Sequence, residues 1–281
     1  MAALTELDGD SVWLVTGAST GLGAALGHEL VSRGHKVAVT ARDVARLDGF
    51  PRSERVLPAA LDLTEPHTFP ELLTQVETEL GSVDVLVNNA GFGLLGAVEE
   101  TSEDERRLVM ETNFFGPAEL SRQVITGLRN RRRGALVNIS SVSGVQGPPG
   151  SAYYAASKHA LEGWSDSLRH ELAPFGVHVM VVEPGAFRTD FFGRSRVRTQ
   201  ARLGIYETVE RRRNSSAEAY GAQPGEPERG ARAILTALLS DSPPDRLVIG
   251  RTAVDTVRDT HLARAEEITR WEKVSRAVDD R

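Results

Sequence analysis

The sequence contains no cysteine, so disulfides, thiolate nucleophiles and thiolate-ligated metals are excluded. No apolar run approaches the roughly 18 to 20 residues that a membrane-spanning helix needs. The opening segment MAALTELDGD carries acids where a secretory leader carries bases, so a soluble, cytoplasmic protein with no membrane partner is expected. Positive charge is also short. A formal net charge of −6 supplies no broad cationic field for nucleic acid or an anionic membrane. A small molecule is the better partner.

What is present is 281 residues, 40% of them hydrophobic, enough to bury a substantial core. SVWLVTGAS is a short β-branched run that ends in glycine. It leads into GLGAALGHELVSRG, where Leu22, Leu26 and Leu30 recur at helical spacing before a terminating Gly34. The alternation continues through strands KVAVTAR and RVLPAALDL, helix FPELLTQVETELG and strand VDVLVNNAG. A long helix from about residue 102 to 129, strand GALVNISS, a helix from about 151 to 173 and strand GVHVMVVEPG follow. Strands that are apolar throughout and separated by helices imply a doubly wound parallel sheet of about seven strands, covered on both faces. Residues 186 to 227 break the pattern and read as a helical, mobile substrate flap. Helix PERGARAILTALLS, strand RLVIG and a polar amphipathic extension over 252 to 281 complete one domain spanning 1 to 281.

Thr16, Gly17, Gly21 and Gly23 form T-G-x-x-x-G-x-G at the first strand-to-helix turn. Missing Cβ atoms let the backbone approach a pyrophosphate, and the helix N-terminus offers unpaired N–H groups and a positive dipole. A lone glycine would mean only a tight turn, whereas three in this register point to a nucleotide cofactor. The second strand ends in Arg42 and Asp43. Arg42 can pair with an adenosine 2′-phosphate, which favours NADP(H), while Asp43 can instead hold a ribose, which leaves NAD(H) open.

YYAASK offers two tyrosines. Lys158 lies four residues after Tyr154 and so shares its helix face, whereas Tyr153 has only Ser157 at that spacing. An ammonium beside a phenol favours the phenolate, which the reference pKa of about 10 otherwise makes inaccessible near neutrality.

These stretches together resemble the short-chain dehydrogenase/reductase family: TGASTGLG at 16 to 23, DL at 62 and 63, NNAG at 88 to 91, Asn113, NISS at 138 to 141, YAASK at 154 to 158 and PGAFRTD at 184 to 190. The resemblance covers most of the chain and implies a Rossmann-type fold. It makes Tyr154 the general acid/base, with Lys158 lowering its pKa and holding the nicotinamide ribose. Ser141 becomes the donor to the substrate oxygen, and Asn113 the holder of a water that links Lys158 to solvent. It gives cofactor contacts to Gly17, Ser19, Thr20, Gly21, Leu22, Gly23, Asp62, Leu63, Asn89, Ala90, Gly91, Pro184, Gly185 and Thr189, besides Arg42, Tyr154 and Lys158. No metal is implied. The expected reaction is hydride transfer between the nicotinamide and a carbonyl or secondary alcohol. The family also implies a homodimer or homotetramer built on the two long helices. A nucleotide-sensing, non-catalytic regulator is the alternative from another class, and an epimerase or dehydratase on the same scaffold is a third reading.

Phe92, Leu94, Leu95, Val145, Phe187, Phe191 and Phe192 suggest an apolar substrate wall, or simply the packing of the flap. The arginine cluster at 129 to 134 reads as a solvated helix end, whereas that at 210 to 216 lies in the flap and could greet an acidic substrate group. His159 and His170 lack metal-ligand partners and read as packing or solvent-facing.

Overall fold

The protein is described by a computed structural model that covers residues 7, 9–193, 195–218 and 221–279. Among the described residues, nine strands and eight α-helices follow in chain order. They are β1 (Val12–Val15), α1 (Gly21–Ser32), β2 (Lys36–Ala41), β3 (Val56–Ala60), α2 (Phe69–Glu79), β4 (Val83–Asn88), β5 (Gly93–Leu95), α3 (Glu103–Met110) and α4 (Gly116–Arg131). Then come β6 (Gly134–Ile139), α5 (Ala152–Leu172), β7 (Val177–Pro184), β8 (Arg196–Arg198), α6 (Glu207–Glu218), α7 (Pro227–Leu238), β9 (Arg246–Ile249) and α8 (Arg251–Arg276).

Seven strands pair in the order β3-β2-β1-β4-β6-β7-β9, every pairing parallel. The expected Rossmann-type sheet is therefore the one observed. Alternation along each strand explains why both faces read as apolar. Trp13, Val15, Val37, Val39, Val85 and Val87 point to one core with Leu26 and Leu30 of α1 and Ile234, Leu235 and Leu238 of α7. Leu14, Ala38, Leu86, Leu136 and Val179 point to the other, with Phe69, Leu72, Leu120, Leu128 and Leu168 from α2, α4 and α5. Each such leucine contributes roughly 1.5 to 3 kcal/mol by leaving water.

The helix expected over 102 to 129 is divided. A capping box opens α3, with Ser102 N–H donating to Glu105 Oε2 at 2.8 Å and Glu105 N–H to Ser102 Oγ at 3.2 Å. A π-helical turn over Glu111–Phe115 then precedes α4, whose second residue, Pro117, has no N–H to give. The turn carries Asn113 into the interior, where it is 1% exposed.

The excursion after β7 is only partly helical. A 3-10 turn at Asp190–Phe192 and strand β8 precede α6. β8 pairs in parallel with β5, Gly93 beside Arg196 and Leu95 beside Arg198, a miniature sheet too short for any sequence periodicity. Glu100 ties the excursion down: its carboxylate accepts from Ala97 N–H, from Leu203 N–H and from Arg213 Nη2 at 2.7 Å.

The arginines at 129 to 134 are largely structural. Arg131 and Arg133 reach the buried Asp84 at 3.6 and 3.4 Å, and Arg132 lies over Phe175. The C-terminal extension is one long helix, α8. Its first turns bury Ala253 and Val257, and from Leu262 onward it is exposed. Among the described residues no helix is long and apolar enough to cross a membrane.

Candidate active site

The sheet order reverses between β1 and β4, and the carboxyl ends of the strands open there into a cleft. Gly17, Ser19, Thr20, Gly21, Leu22, Arg42, Asp62, Leu63, Asn89, Ala90, Gly91, Ser141, Tyr154, Lys158, Pro184, Gly185 and Thr189 all line this one cavity of about 670 Å³. Of the catalytic and cofactor-binding residues that the resemblance assigns, Gly23 and Asn113 do not line it, and both stand directly behind its wall.

The glycine turn is built by hydrogen bonds from β4. Asn89 Nδ2 donates to Thr16 O at 2.8 Å and Gly17 O at 3.1 Å, while Asn89 and Ala90 N–H both donate to Thr16 Oγ1 at 3.0 Å. Gly17 has φ +68, and a Cβ there would come within 2.7 Å of Ala90 Cα. Gly23 has no unusual φ, but a Cβ on it would sit 2.3 Å from the Asn89 amide nitrogen. At the start of α1, Thr20 is extended and gives no side-chain cap. The first N–H groups of α1 thus remain available at the floor of a side-chain-free cradle. These features fit the pyrophosphate of a dinucleotide.

At the adenosine end, Arg42 is exposed and lines the cavity. Asp43 turns away, its Oδ1 accepting from Ala45 N–H at 3.0 Å to cap a 3-10 turn. The Asp62 carboxylate accepts from Thr64 N–H at 2.9 Å and Thr64 Oγ1 at 2.8 Å. That fixes its rim of the cleft.

Tyr154 is 7% exposed in a small apolar cluster with Leu94 and Val109, and Tyr153 packs outside it without lining the cavity. The register chosen from the sequence is the one that faces the cleft. Burial pushes the Tyr154 phenol above its ordinary pKa, while a hydrogen bond with the Ser141 hydroxyl and the nearby Arg196 and Arg212 guanidiniums pull it back. Lys158 Nζ donates to Ile139 O at 2.8 Å. Burial lowers the Lys158 pKa to about 8, opposed by the Glu162 carboxylate one turn further along α5. The cations that pull the phenol down come from the excursion rather than from Lys158, whose ammonium is directed at the end of β6.

Asn113 is engaged on three sides. Its Nδ2 donates to Phe92 O at 2.9 Å and Ser157 Oγ at 3.1 Å, and its Oδ1 accepts from Phe92 N–H at 3.0 Å. A Cβ on Gly91 would meet Asn113 Oδ1 at 2.9 Å and Lys158 Nζ at 3.6 Å, so both groups back onto one glycine.

Of the expected apolar walls, Phe92, Leu94, Phe187 and Phe191 line the cavity, and Leu95 and Val145 are buried away from it. The Phe192 side chain lies outside the described residues. Sequence reasoning missed Arg196 on β8 and Thr252, Ala253 and Thr256 on α8, all of which line the cavity. The 210 to 216 cluster separates by helical position. Arg211 is exposed, Arg212 lines the cavity and Arg213 is buried against Glu100.

A dinucleotide cradle at the switch point, with a hydroxyl, a phenol and an ammonium on its far wall, defines a nucleotide-dependent oxidoreductase. Comparison with known proteins agrees. The model of the short chain dehydrogenases matches residues 11–200. A crystal structure of a short-chain dehydrogenase from Streptomyces avermitilis is similar, at 41% identity and a TM-score of 0.88, covering 95% of this chain and 98% of that one. An oxidoreductase of Botryotinia fuckeliana is 31% identical, over 95% of this chain and 98% of its own. A short chain dehydrogenase from Burkholderia cenocepacia, solved in complex with NADP, is 25% identical with a TM-score of 0.74, over 94% and 98% of the two chains. The protein belongs to the short-chain dehydrogenase family.

Proposed function

We propose that the protein is an NADP(H)-preferring dehydrogenase or reductase that interconverts a carbonyl and a secondary alcohol on a largely hydrophobic substrate. The observation that carries this reading is that the Ser141 hydroxyl and the buried Tyr154 phenol stand together on the wall of the cavity that holds the glycine cradle. When bound, the nicotinamide supplies or accepts the hydride.

The chain's own groups do the rest. Ser141 donates a hydrogen bond to the substrate oxygen, where negative charge grows as a carbonyl is reduced. Tyr154 gives that oxygen its proton, or takes it in the opposite direction. Lys158, with a pKa of about 8, exchanges protons readily near neutrality and resupplies the phenol. Asn113 is a positioning residue here: it fixes Phe92, which lines the cavity, and the buried Ser157, whose hydroxyl donates to Tyr154 O. Gly17 to Gly23 and Asn89 to Gly91 cradle the pyrophosphate and the ribose beside it.

Preference for NADP(H) rests on Arg42, which faces the cavity while Asp43 is occupied by Ala45. The test follows nicotinamide absorbance with both reduced and both oxidised cofactors against steroids, retinoids, aliphatic ketones and sugars. Turnover of at least one carbonyl or alcohol is expected, and its absence across the panel favours a nucleotide-sensing role. In the same assay, Arg42→Asp lowers the ratio of NADPH to NADH use by about 10- to 100-fold. An unchanged ratio removes Arg42 from cofactor choice.

A further inference from the structure

Behind the wall that carries Ser141 and Lys158 lies a cluster of carboxyl groups that the proposed reaction does not use. Glu162 stands one turn after Lys158 on α5, Asp166 one turn further, Glu183 on β7 and Arg246 on β9. Arg246 Nε donates to Glu162 Oε2 at 3.2 Å and lies 3.6 Å from Glu183 Oε1, while its Nη2 donates to Asp166. Asp166 also accepts from Arg169 Nη1 at 2.8 Å. Three carboxyls thus meet two guanidiniums. Both oxygens of Glu183 are buried without a hydrogen-bond partner among the described residues. An isolated buried carboxylate is costly, so the proton of the cluster belongs on Glu183 and the negative charge on Glu162.

Glu162 meets the active site on two sides. Ser140 and Ser141 line the cavity, and a Cβ on Gly144 would lie 2.5 Å from Ser140 Oγ and 3.1 Å from Glu162 Oε1. The turn therefore rests directly on this carboxyl. It is wound around Ser141, whose Oγ accepts from Ser143 N–H at 3.0 Å and whose carbonyl accepts from Gly144 N–H at 2.7 Å.

On the other side is the buried Lys158. The groups that face its ammonium are Tyr154 on the same helix, Asn113 across Gly91 and the Ile139 carbonyl of β6, none of them an anion. Glu162 is the carboxylate that opposes the desolvation of this ammonium. The charged groups around Glu162 itself are Lys158 and Asp166 of its own helix, Glu183 of β7 and Arg246 of β9, and the turn over 140 to 144 adds none.

We propose that Glu162 is a positioning residue of the active site, whose carboxylate keeps Lys158 charged and supports the turn that carries Ser141. The role deepens the oxidoreductase reading above and rests on it for the reaction that Lys158 serves. Glu183 is the neutral member of the cluster and does not act on Lys158.

The sequence holds three lysines, Lys36, Lys158 and Lys273. NMR of protein labelled with carbon-13 at the lysine Cε therefore follows Lys158 directly, with or without a known substrate. In the wild type its resonance is expected to titrate near pH 8. Glu162→Gln lowers the midpoint by about one pH unit, the low end of the range for loss of an opposite charge nearby. Glu162→Met, uncharged and of similar length, gives the same shift, and Glu162→Asp keeps most of the wild-type value. Glu183→Gln alters the same cluster and leaves the midpoint in place, so disturbed packing does not mimic the result. In steady-state kinetics, the alkaline limb of kcat/KM for carbonyl reduction moves down by the same amount in Glu162→Gln, because the ammonium that resupplies the phenol is lost at lower pH.

A Lys158 midpoint that is the same in wild type and in the uncharged variants, or that moves equally in Glu162→Gln and Glu183→Gln, would overturn the role of Glu162. A midpoint that moves as expected in a protein that turns over no carbonyl or alcohol sinks the oxidoreductase reading and leaves Glu162 as the group that sets the charge of Lys158.

Discussion

The two ends of the cleft are made of different material. At the glycine turn the wall is main chain and small side chains, locked from behind by Asn89 and Thr16. At the carbonyl end it is mostly long side chains delivered by α5, β8 and α6, with three cations among them. The first wall cannot move without breaking hydrogen bonds within the sheet. The second is set by side-chain choices on an appended segment, so specificity can be altered there without disturbing the cofactor. Two variants, one at each end, sharpen the contrast.

The largest effect is expected from Tyr154→Phe, which removes the proton donor and keeps the ring against Phe191 and Leu94. Turnover falls by about 10²- to 10⁴-fold, the range for loss of a positioned general acid/base. Cofactor affinity, read by fluorescence titration, stays close to that of the wild type. Tyr153→Phe, outside the cavity, is comparatively mild. Equal losses in the two variants would falsify the assignment of the phenol.

At the other end, Gly23→Ala reverses the pattern. Its Cβ would lie 2.3 Å from the Asn89 amide and 2.5 Å from Gly17 O, so the cradle has to shift. Overpacking of this kind costs about 1 to 3 kcal/mol, and cofactor affinity is expected to weaken by roughly tenfold or more. Once cofactor is saturating, kcat recovers much of its value. A variant with intact affinity but a lower kcat would break the division between the two ends.

The same division explains how much was legible in the sequence. The cradle is written in consecutive residues, because φ-permissive and Cβ-free positions have to fall at fixed places along one turn. Tyr154 and Lys158 were legible because helix geometry makes i and i+4 neighbours. The alternation of strands and helices and the two-faced core followed from local periodicity, whereas the strand order did not. The β5–β8 pair was not legible, since three-residue strands separated by about a hundred positions carry no period. Arg196 was hidden for the same reason, and the 210 to 216 cluster was noted without Arg212 being told apart from its neighbours: nothing local tells an arginine in a cavity from one in solvent. Arg211, Arg212 and Arg213 are adjacent in sequence and meet solvent, cavity and buried carboxylate in turn. The π-helical turn at Asn113 is a further case, set by how α3 and α4 abut rather than by propensity.

The buried charge beneath the carbonyl end has a measurable consequence for stability. Glu183 of β7 is 1% exposed, and burial followed by repulsion from Glu162 raises its pKa from 4.5 to about 7. The groups around it are Glu162 and Asp166 of α5 and Arg246 of β9, whose Nε lies 3.6 Å from Glu183 Oε1. Between these two pKa values the folded chain keeps a proton that the unfolded chain has lost, so stability falls as pH rises and the loss is complete above about pH 7. The pull of Arg246 is already contained in this shift, which is worth about 3 kcal/mol. Glu183→Gln abolishes the titration. The melting temperature of the variant relative to wild type is therefore expected to climb by a few degrees from about pH 4 to pH 8. A difference that stays flat with pH would mean that Glu183 is ionised throughout, held so by Arg246. In that case the carbonyl end would rest on a satisfied ion pair rather than on a protonated acid.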